Sequence, residues 1–419
     1  MARLNAPWSV DGTSHPAGAL VAYAIAPVEA GAPARIERVL TPTPRQAVRQ
    51  VAALGDTLAV SLLEDVAGRL VLLRRQATGW ARQSVPLPDH AAVSIVSASG
   101  AQALALVRVE TLTTPAALWA VRPDAPPALV AAMPPAFDPA DMVVEQRFTI
   151  SRDGTRIPWY LVRPAGARGP LPTLLQAYGG FRVPQLPTYL SPLAQFWVES
   201  GGAWAMANLR GGGEYGPAWH AAGMRAGRAR VLEDLHAVAG ALRREGLASR
   251  VAASGRSNGG LLVAAAMTQR PELYDAALIG VPLTDMRRYH RLLAGASWLA
   301  EYGDPDRRED WQYLRRLSPL HALRPGVAYP AAMIFTSTLD DRVHPAHARN
   351  FAARLDELGQ PFDYLEHAEG GHAGSANRQQ EAERVALLYA WLIDRMGLPP
   401  LTDAAVRAGG AMAAAPAPE

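Results

Sequence analysis

The sequence predicts an α/β protein, with a mostly parallel sheet covered by helices on both faces and a region of antiparallel β structure before it. Two patterns carry this prediction. Up to residue 137, short alternating apolar runs are separated by Gly, Pro and Asp, which is typical of antiparallel strands. After residue 137, apolar runs alternate with segments of helical periodicity, which is typical of a parallel sheet. At 419 residues, 49% of them hydrophobic, the chain is long enough for one large domain and a smaller one.

The N-terminal region, residues 1–137, contains its clearest alternating runs at 58–63, 69–73 and 103–107. The proline-rich segment 133–139 separates this region from the rest of the chain and predicts a domain boundary there. The second domain is expected to span 138–400. The tail 401–419, rich in Ala, Gly and Pro, is expected to be disordered.

The second domain is predicted to carry its sheet on six apolar segments. These strand candidates are 173–177, 203–208, 251–254, 276–281, 332–336 and 362–367. Between them, apolar residues recur at helical spacing and predict three buried helix faces. The faces consist of Leu232, Leu235, Val238 and Leu242; of Phe351, Leu355 and Leu358; and of Val385, Leu388 and Leu392.

Composition excludes several classes of function. The absence of cysteine rules out disulfides, thiolate metal sites and a cysteine nucleophile. A net charge of +3 is small for this length, so no nucleic-acid partner is expected. No apolar run approaches the length of a membrane span, and the first residues lack a secretory signal. We therefore expect a cytoplasmic protein with no membrane contact and no cofactor.

The segment 255–259, Gly-Arg-Ser-Asn-Gly, fits the G-x-S-x-G pattern around a nucleophilic serine. It lies between a predicted strand and an apolar helix that begins at Gly260. A serine on such a tight strand-to-helix turn needs small neighbours, and Gly255 and Gly259 provide them. This context predicts an α/β-hydrolase fold with Ser257 as its nucleophile.

A serine hydroxyl needs a histidine base, and the histidine needs an acid that fixes its tautomer. In α/β-hydrolases the chain order is serine, acid, histidine, with the last two on loops after later strands. Asp340 and His372 occupy these positions. Asp341 is a rival acid that the residues alone barely distinguish from Asp340.

Three other histidines lie close to these candidates in the sequence: His344, His347 and His367. With the two aspartates, His344 and His347 could suggest a metal site. Their position at the start of a predicted helix favours capping and solvation instead. No metal site is expected.

Five ordered segments resemble the signatures of the prolyl oligopeptidase family of serine peptidases. They begin at Tyr178, Asn208, Gly255, Asp340 and Gly371 and read YGGF, NLRGGGEYG, GRSNGG, DDRV and GHAG. The resemblance covers residues 143–397. It implies that Asp340 is the acid and His372 the base of a triad with Ser257.

The resemblance also implies roles for residues around the triad. The hydroxyl of Tyr178 and the backbone N–H of Asn258 would form the oxyanion hole, which stabilises charge in the transition state. Trp298 would stack on a proline ring at P1, the residue before the scissile bond. Phe181, Tyr302 and Val343 would line the same pocket, and Arg342 would bind a substrate carbonyl. The run 210–216 is interpreted as a structural loop near the site, because glycine patterns alone are weak evidence of a phosphate site.

The front of the chain departs from the family. Its members carry a seven-bladed β-propeller of some 350 residues, whereas 1–137 allows three blades at most. We therefore expect a partial propeller-like region, an uncovered site and possible association of copies through open strand edges.

The leading functional prediction is cleavage of short peptides after proline through an acyl-enzyme. A carboxylesterase or general acyl hydrolase is the alternative, because a triad is indifferent to the leaving group. A third possibility is a weakly active fragment whose blades act as an interaction module.

Overall fold

The computed structural model describes residues 1–10, 12–23 and 36–401 of the chain. Apart from Leu401, the predicted disordered tail lies outside the described residues. Over the ranges described, no helix has the length and apolar character needed to cross a membrane.

The N-terminal part consists of antiparallel sheets. Its described strands are β1 (Ala2–Arg3), β2 (Trp8–Val10), β3 (Thr13–His15), β4 (Leu20–Tyr23), β5 (Ile36–Leu40), β6 (Gln46–Leu54), β7 (Thr57–Glu64), β8 (Ala67–Gln76), β9 (Gly79–Ser84), β10 (Ala92–Ser99), β11 (Leu104–Glu110), β12 (Ala117–Arg122) and β13 (Ala125–Ala132). Strands β6–β9 and β10–β13 each form a four-stranded meander, β1, β4 and β5 form a smaller sheet, and β2 pairs with β3. The predicted antiparallel, propeller-like region is confirmed.

Strand β8 shows why these sheets stack on one another. Val71 and Leu73 pack into a core shared with the sheet of β1, β4 and β5. Leu70 and Leu72 pack into a core shared with β10–β13. Successive side chains of a strand point to opposite faces, so an apolar run on β8 supplies both cores at once.

The second part is built on an eight-stranded sheet. Its strands are β14 (Met142–Ile150), β15 (Arg156–Pro164), β16 (Leu171–Gln176), β17 (Ala203–Ala207), β18 (Ala248–Arg256), β19 (Ala276–Gly280), β20 (Ala331–Ser337) and β21 (Phe362–His367). Their order across the sheet is β14-β15-β17-β16-β18-β19-β20-β21. Strand β15 pairs antiparallel with both β14 and β17. The six strands from β16 to β21 run parallel to one another. The predicted α/β-hydrolase fold is confirmed, and β14 and β15 are additions to its six predicted strands.

Helices cover both faces of this sheet. They are α1 (Pro192–Glu199), α2 (Pro217–Ala222), α3 (Arg228–Arg244), α4 (Asn258–Gln269), α5 (Leu299–Tyr302), α6 (Arg308–Leu317), α7 (Pro319–Ala322), α8 (Ala346–Glu357) and α9 (Arg378–Met396). Helices α3, α4 and α8 share a core on one face, and α1 and α9 share a core on the other. Parallel strands covered in this way bring their carboxyl ends to one edge, where the candidate site lies.

The two parts of the chain meet at the turn between β7 and β8. Asp65 in this turn accepts hydrogen bonds from the Tyr215 hydroxyl (3.0 Å) and, through its carbonyl oxygen, from Gln146 Nε2 (2.5 Å). Val66 is completely buried in the core that α1 and α9 cover. The predicted boundary at 137/138 falls between β13 and β14, and the domain limits themselves stay a prediction.

Candidate active site

Ser257 forms the turn between β18 and α4. Its φ of 57° and ψ of −119° are unusual for a residue with a side chain, and such strain persists where the surrounding structure imposes it. The Ser257 N–H donates to Gly280 O on the neighbouring strand (2.9 Å). A Cβ at residue 259 would lie only 2.6 Å from the carbonyl oxygen of Ala177, and one at residue 255 would overlap Gly259. The glycines of the motif therefore allow the backbone contacts that hold this turn.

His372 and Asp340 lie on the loops that follow β21 and β20. His372 Nδ1 lies 2.8 Å from Asp340 Oδ2 and 3.0 Å from Oδ1. The Asp340 side chain is completely buried, and its Oδ1 accepts from the backbone N–H groups of Arg342 (2.9 Å) and Val343 (2.8 Å). These bonds fix the carboxylate, which in turn orients the imidazole.

Asp341, the rival acid, makes a different contact. Its Oδ1 accepts from the backbone N–H of His372 (3.3 Å), while its side chain is exposed. It therefore holds the loop of His372 rather than the imidazole.

Two of the other histidines, His344 and His347, are engaged elsewhere, and His367 lies within β21. His344 Nδ1 accepts from the N–H of Ala346 at the start of α8, and His347 Nδ1 accepts from the N–H of Asp285 (3.1 Å). Burial lowers the pKa of His347 to about 4, so it is neutral at neutral pH. Across the described ranges, the residues that meet metal-ligand spacing are His290, Asp304 and Asp306, and not the pair His344 and His347.

The predicted oxyanion donors, Tyr178 and Asn258, both lie next to Ser257. Asn258 is the first residue of α4, so its N–H has no acceptor within the helix. Tyr178 follows β16, and its carbonyl oxygen accepts from Asn258 Nδ2 (2.5 Å). Burial raises the pKa of Tyr178, which keeps its hydroxyl protonated and able to donate.

A buried arginine, Arg228, supports these donors, and sequence reasoning missed it. From the first turn of α3 it donates to Gly179 O (2.9 Å) and to Asn258 Oδ1, which also accepts from the Tyr302 hydroxyl (2.8 Å). An arginine at a helix start is usually solvated, so its position in the sequence gave no signal.

Glu301 balances the charge of this arginine. Glu301 Oε1 lies 3.5 Å from Arg228 Nη1 and accepts from the N–H of Phe181 (2.9 Å). Its Oε2 lies 2.7 Å from His220 Nε2. The loop of Tyr178 and the turn of Ser257 are thus joined through one buried polar network.

The residues of the predicted proline pocket belong to one apolar cluster. Phe181 and Trp298 are half-buried, and the rings of Phe181 and Tyr302 meet edge to face at 5.5 Å. Tyr302 and Val343 are almost completely buried, at 0% and 2% exposure, so in this conformation neither offers surface to a ligand. Tyr302 packs against Phe181, and both buried residues lie in the core, which differs from the direct lining predicted for them. Arg342 has an exposed side chain on the neighbouring loop.

The loop 208–216 is held by buried charges. Arg210 pairs with Asp234 (2.6 Å), and Glu214 Oε1 accepts from the N–H of Gln185 (2.9 Å) in the loop that follows Tyr178. Burial raises the pKa of Glu214 to about 7. The contacts of Arg210 and Glu214 lie within the protein, in keeping with the predicted structural role.

Comparisons with known proteins place the chain in a family. The profile of the Prolyl oligopeptidase family matches residues 188–398. The chain is 39% identical to an uncharacterised peptidase of Sinorhizobium fredii over 403 residues, covering 94% of this chain and 55% of that protein. It is 40% identical to a prolyl endopeptidase of Elizabethkingia miricola over 270 residues, covering 62% and 38% of the two chains.

A solved structure supports the same relationship. The structure of a post-proline cleaving enzyme from Rickettsia typhi matches with a TM-score of 0.86 at 31% identity, over 94% of this chain and 58% of that one. The chain spans about half the length of the curated relatives that match most of it. Because the family profile covers half of the chain and the fold and motifs agree with it, this chain belongs to the prolyl oligopeptidase family of serine peptidases.

Proposed function

We propose that this chain is a serine peptidase that cleaves short peptides on the carboxyl side of proline. The observation that carries the proposal is the constellation at the carboxyl edge of the sheet. Ser257, on a strained turn, lines a common cavity with His372, whose Nδ1 lies 2.8 Å from the buried carboxylate of Asp340. Nucleophile, base and orienting acid are the parts that acyl transfer requires.

In the proposed reaction Ser257 Oγ attacks the peptide carbonyl while His372 Nε2 takes its proton. Asp340 stays ionised and holds Nδ1–H, which stabilises the imidazolium that forms. The oxyanion receives hydrogen bonds from Asn258 N–H and the Tyr178 hydroxyl. His372 then protonates the leaving amine, and water releases the acyl group by the same steps in reverse.

The preference for proline rests on the apolar cluster of Phe181 and Trp298. A proline ring is rigid and apolar, so it buries surface in an aromatic slot and costs little conformational entropy. Glu301, which accepts from the N–H of Phe181, is 5% exposed and engaged with Arg228 and His220, so it is not free to bind a basic residue in the slot. The relative from Elizabethkingia miricola is named a prolyl endopeptidase, which agrees with this interpretation. Arg342 is proposed to bind a backbone carbonyl of the substrate.

Two measurements test the proposal. A fluorophosphonate probe should label the wild-type chain and not Ser257→Ala; equal labelling of both would exclude Ser257 as the nucleophile. A set of short peptides that vary only at P1 should then show proline cleaved well above alanine. Trp298→Ala should reduce that ratio more than it reduces labelling. Turnover of p-nitrophenyl esters with no cleavage of any peptide would point instead to an esterase.

A further inference from the structure

Ser257 and His372 line a cavity of about 480 Å³, and the proposed function assigns no part of the substrate to its far wall. It lies between the start of α1 and helix α9, on the face of the sheet opposite α4. Its apolar wall includes Leu193, Phe335 and Leu388. The five predicted pocket residues, which begin at Phe181, are absent from its described lining. The cavity is therefore separate from the cluster of Phe181 and Trp298, and Ser257 and Tyr178 lie on its wall.

Two guanidinium groups, those of Arg256 and Arg384, line this cavity. Arg256 and Arg384 both lie over the ring of Phe335, with Cζ 5.8 and 5.4 Å from its centroid. Arg384 is paired with the carboxylate of Glu381. Arg256 donates instead to backbone carbonyls in the histidine loop, those of Ala373 (2.5 Å) and His372 (3.4 Å).

Among the described residues Arg256 makes no ion pair, since Glu381 is bound by Arg384, and Asp340, whose charge also acts on Arg256, is engaged with His372. Burial, and after it the neighbouring Arg384, lowers the pKa of Arg256 to about 10, which still leaves it charged at neutral pH. A partly buried cation that lacks an anionic partner is unfavourable. An anion in the cavity would offset that cost, and an uncharged ligand would not.

The position of His372 indicates which part of a substrate would enter this cavity. The imidazole must reach the leaving amine in order to protonate it. His372 lines the cavity, whereas Phe181 packs on Tyr302, which donates to Asn258, and Trp298 belongs to the same apolar cluster. With proline placed at Trp298, as in the proposed function, the departing part of the substrate would extend towards His372 and Arg256.

We infer that the cavity is a subsite for the residue after the scissile bond and that it selects a leaving group bearing a carboxylate. The apolar wall would take the stem of that residue, and Arg256 would bind its negative charge. The carboxylate can be the α-carboxylate of a C-terminal residue or the side chain of an acidic one. This inference rests on the proposed peptidase function and adds no chemical step to it.

Three peptides that share one sequence up to proline test the inference. The first ends in leucine with a free carboxylate, the second in leucine amide, and the third in aspartate amide. A charge-assisted hydrogen bond is worth about 1.5–3 kcal/mol, so at low salt kcat/KM should be about tenfold or more higher for a carboxylate-bearing peptide than for leucine amide. The peptide favoured identifies the source of the charge. Added salt should reduce the ratio.

Arg256→Gln should bring that ratio close to one. Because Arg256 also holds the loop of His372, its loss is expected to change every rate; the ratio is therefore compared with cleavage of a proline aminocoumarin amide, whose leaving group is neutral. Arg354→Gln, on the exposed face of α8 where Arg354 pairs with Glu357, is the matched control and should keep the wild-type ratio. If Arg256→Gln does not fold, Arg384→Gln takes its place; it leaves the Glu381 carboxylate on the cavity wall without its partner, which should oppose a carboxylate in the substrate and lower the ratio.

The outcomes separate this inference from the proposed function. If the wild-type chain cleaves all three peptides equally, the subsite is wrong and the peptidase proposal stands. A ratio unchanged in Arg256→Gln would also overturn the subsite. If no peptide is cleaved and the fluorophosphonate does not label Ser257, both proposals fail together.

Discussion

The two sides of Ser257 are built differently. On the oxyanion side, Asn258 is held by Arg228 and Tyr302, which are both almost completely buried. On the histidine side, His372 stands on a partly exposed loop and depends on Asp340 and Arg256. Both sides rest on a buried charged group, but on the oxyanion side the groups held are themselves buried, whereas the histidine side holds a partly exposed loop through a few hydrogen bonds.

The backbone of the histidine loop explains the difference. Gly370, Gly371 and Gly374 have φ values of 109°, 52° and 77°, a region that glycine enters without steric cost. Such a loop places an imidazole at the sheet edge but adds no side chains to pack around it. In the proposed reaction the oxyanion side stabilises charge in place, and rigid, preplaced donors do this best. The proposed base, His372, moves a proton in both directions, and a few directed hydrogen bonds are enough for that.

The largest effect should come from the adjacent aspartates on the histidine side. Asp340→Asn should lower kcat by about 10⁴-fold, because an amide there favours the wrong imidazole tautomer. Asp341→Asn should change it far less, since Asp341 contacts only the backbone N–H of His372. Steady-state kinetics on one proline peptide compare the pair. Equal losses would show that the loop bond matters as much as the imidazole bond, and the assignment of Asp340 would not survive.

A pair of arginines tests the contrast in burial. Arg228→Gln leaves Glu301 and Asn258 without their cation, and breaking a buried ion pair costs about 3–5 kcal/mol of stability. Arg256→Gln removes a half-buried group bound only to carbonyls and should cost about 1 kcal/mol. Urea denaturation of both variants measures the difference.

Similar losses of stability in the two variants would contradict the contrast between the sides. Arg228→Lys serves as the control, because it keeps the charge near Glu301 and loses the forked contact to Gly179 and Asn258. Its stability should lie between those of the wild type and Arg228→Gln.

The sequence predicted the six parallel strands because buried parallel strands are continuous apolar runs. It did not predict β14 and β15, whose antiparallel hairpin interrupts the alternation of strand and helix. A signal was present, because Asp153-Gly154 between them is a typical turn dipeptide. Because the second domain was interpreted as alternating strands and helices, an antiparallel hairpin at its start was not predicted.

The site shows the same limit. Ser257 and His372 could be named from motif and chain order, whereas Asp340 was separated from Asp341 only by the resemblance to the family. The support given by Arg228 and Arg256 could not, because it depends on which distant segments meet in space. Arg256 occupies the first x of G-x-S-x-G, and the motif assigns no role to the residue at that position. Tyr302 was predicted to line the pocket but is completely buried beneath Phe181. That burial results from packing between distant segments, which the sequence does not reveal.

A pair of tyrosines isolates the oxyanion side. Tyr178→Phe should lower kcat by about 10²–10³-fold, or 2.7–4 kcal/mol of barrier, with stability nearly unchanged. Tyr302→Phe removes the hydroxyl that donates to Asn258 Oδ1 and should cost about 1 kcal/mol of stability with a smaller loss of rate. Kinetics and thermal unfolding of both variants separate a donor from a support. If Tyr302→Phe slowed the reaction more than Tyr178→Phe, the two roles would have to be exchanged.

The smallest effect concerns the support of the loop that follows Tyr178. Glu214 is completely buried beneath it, and Oε2 of Glu214 and Oδ1 of Asn208 both lack a hydrogen-bond partner among the described residues. A proton on Glu214 Oε2 would turn one of these two acceptors into a donor. This agrees with the pKa of Glu214, which burial raises from 4.5 to about 7. Because the folded chain holds this proton more tightly than the unfolded chain, its contribution is complete below the unfolded pKa and is lost as pH rises through 7.

Linkage gives the size of that loss. Between about pH 5 and pH 7 the free energy of unfolding should fall by about 2 kcal/mol through this group. Glu214→Gln cannot titrate and should remove that part of the slope, while its amide still donates in place of the proton. Urea denaturation at both pH values, in wild type and variant, measures the difference between the slopes. Parallel slopes would mean that Glu214 is already ionised at pH 5, and the oxyanion side would then hold a buried carboxylate beneath its loop rather than a neutral acid.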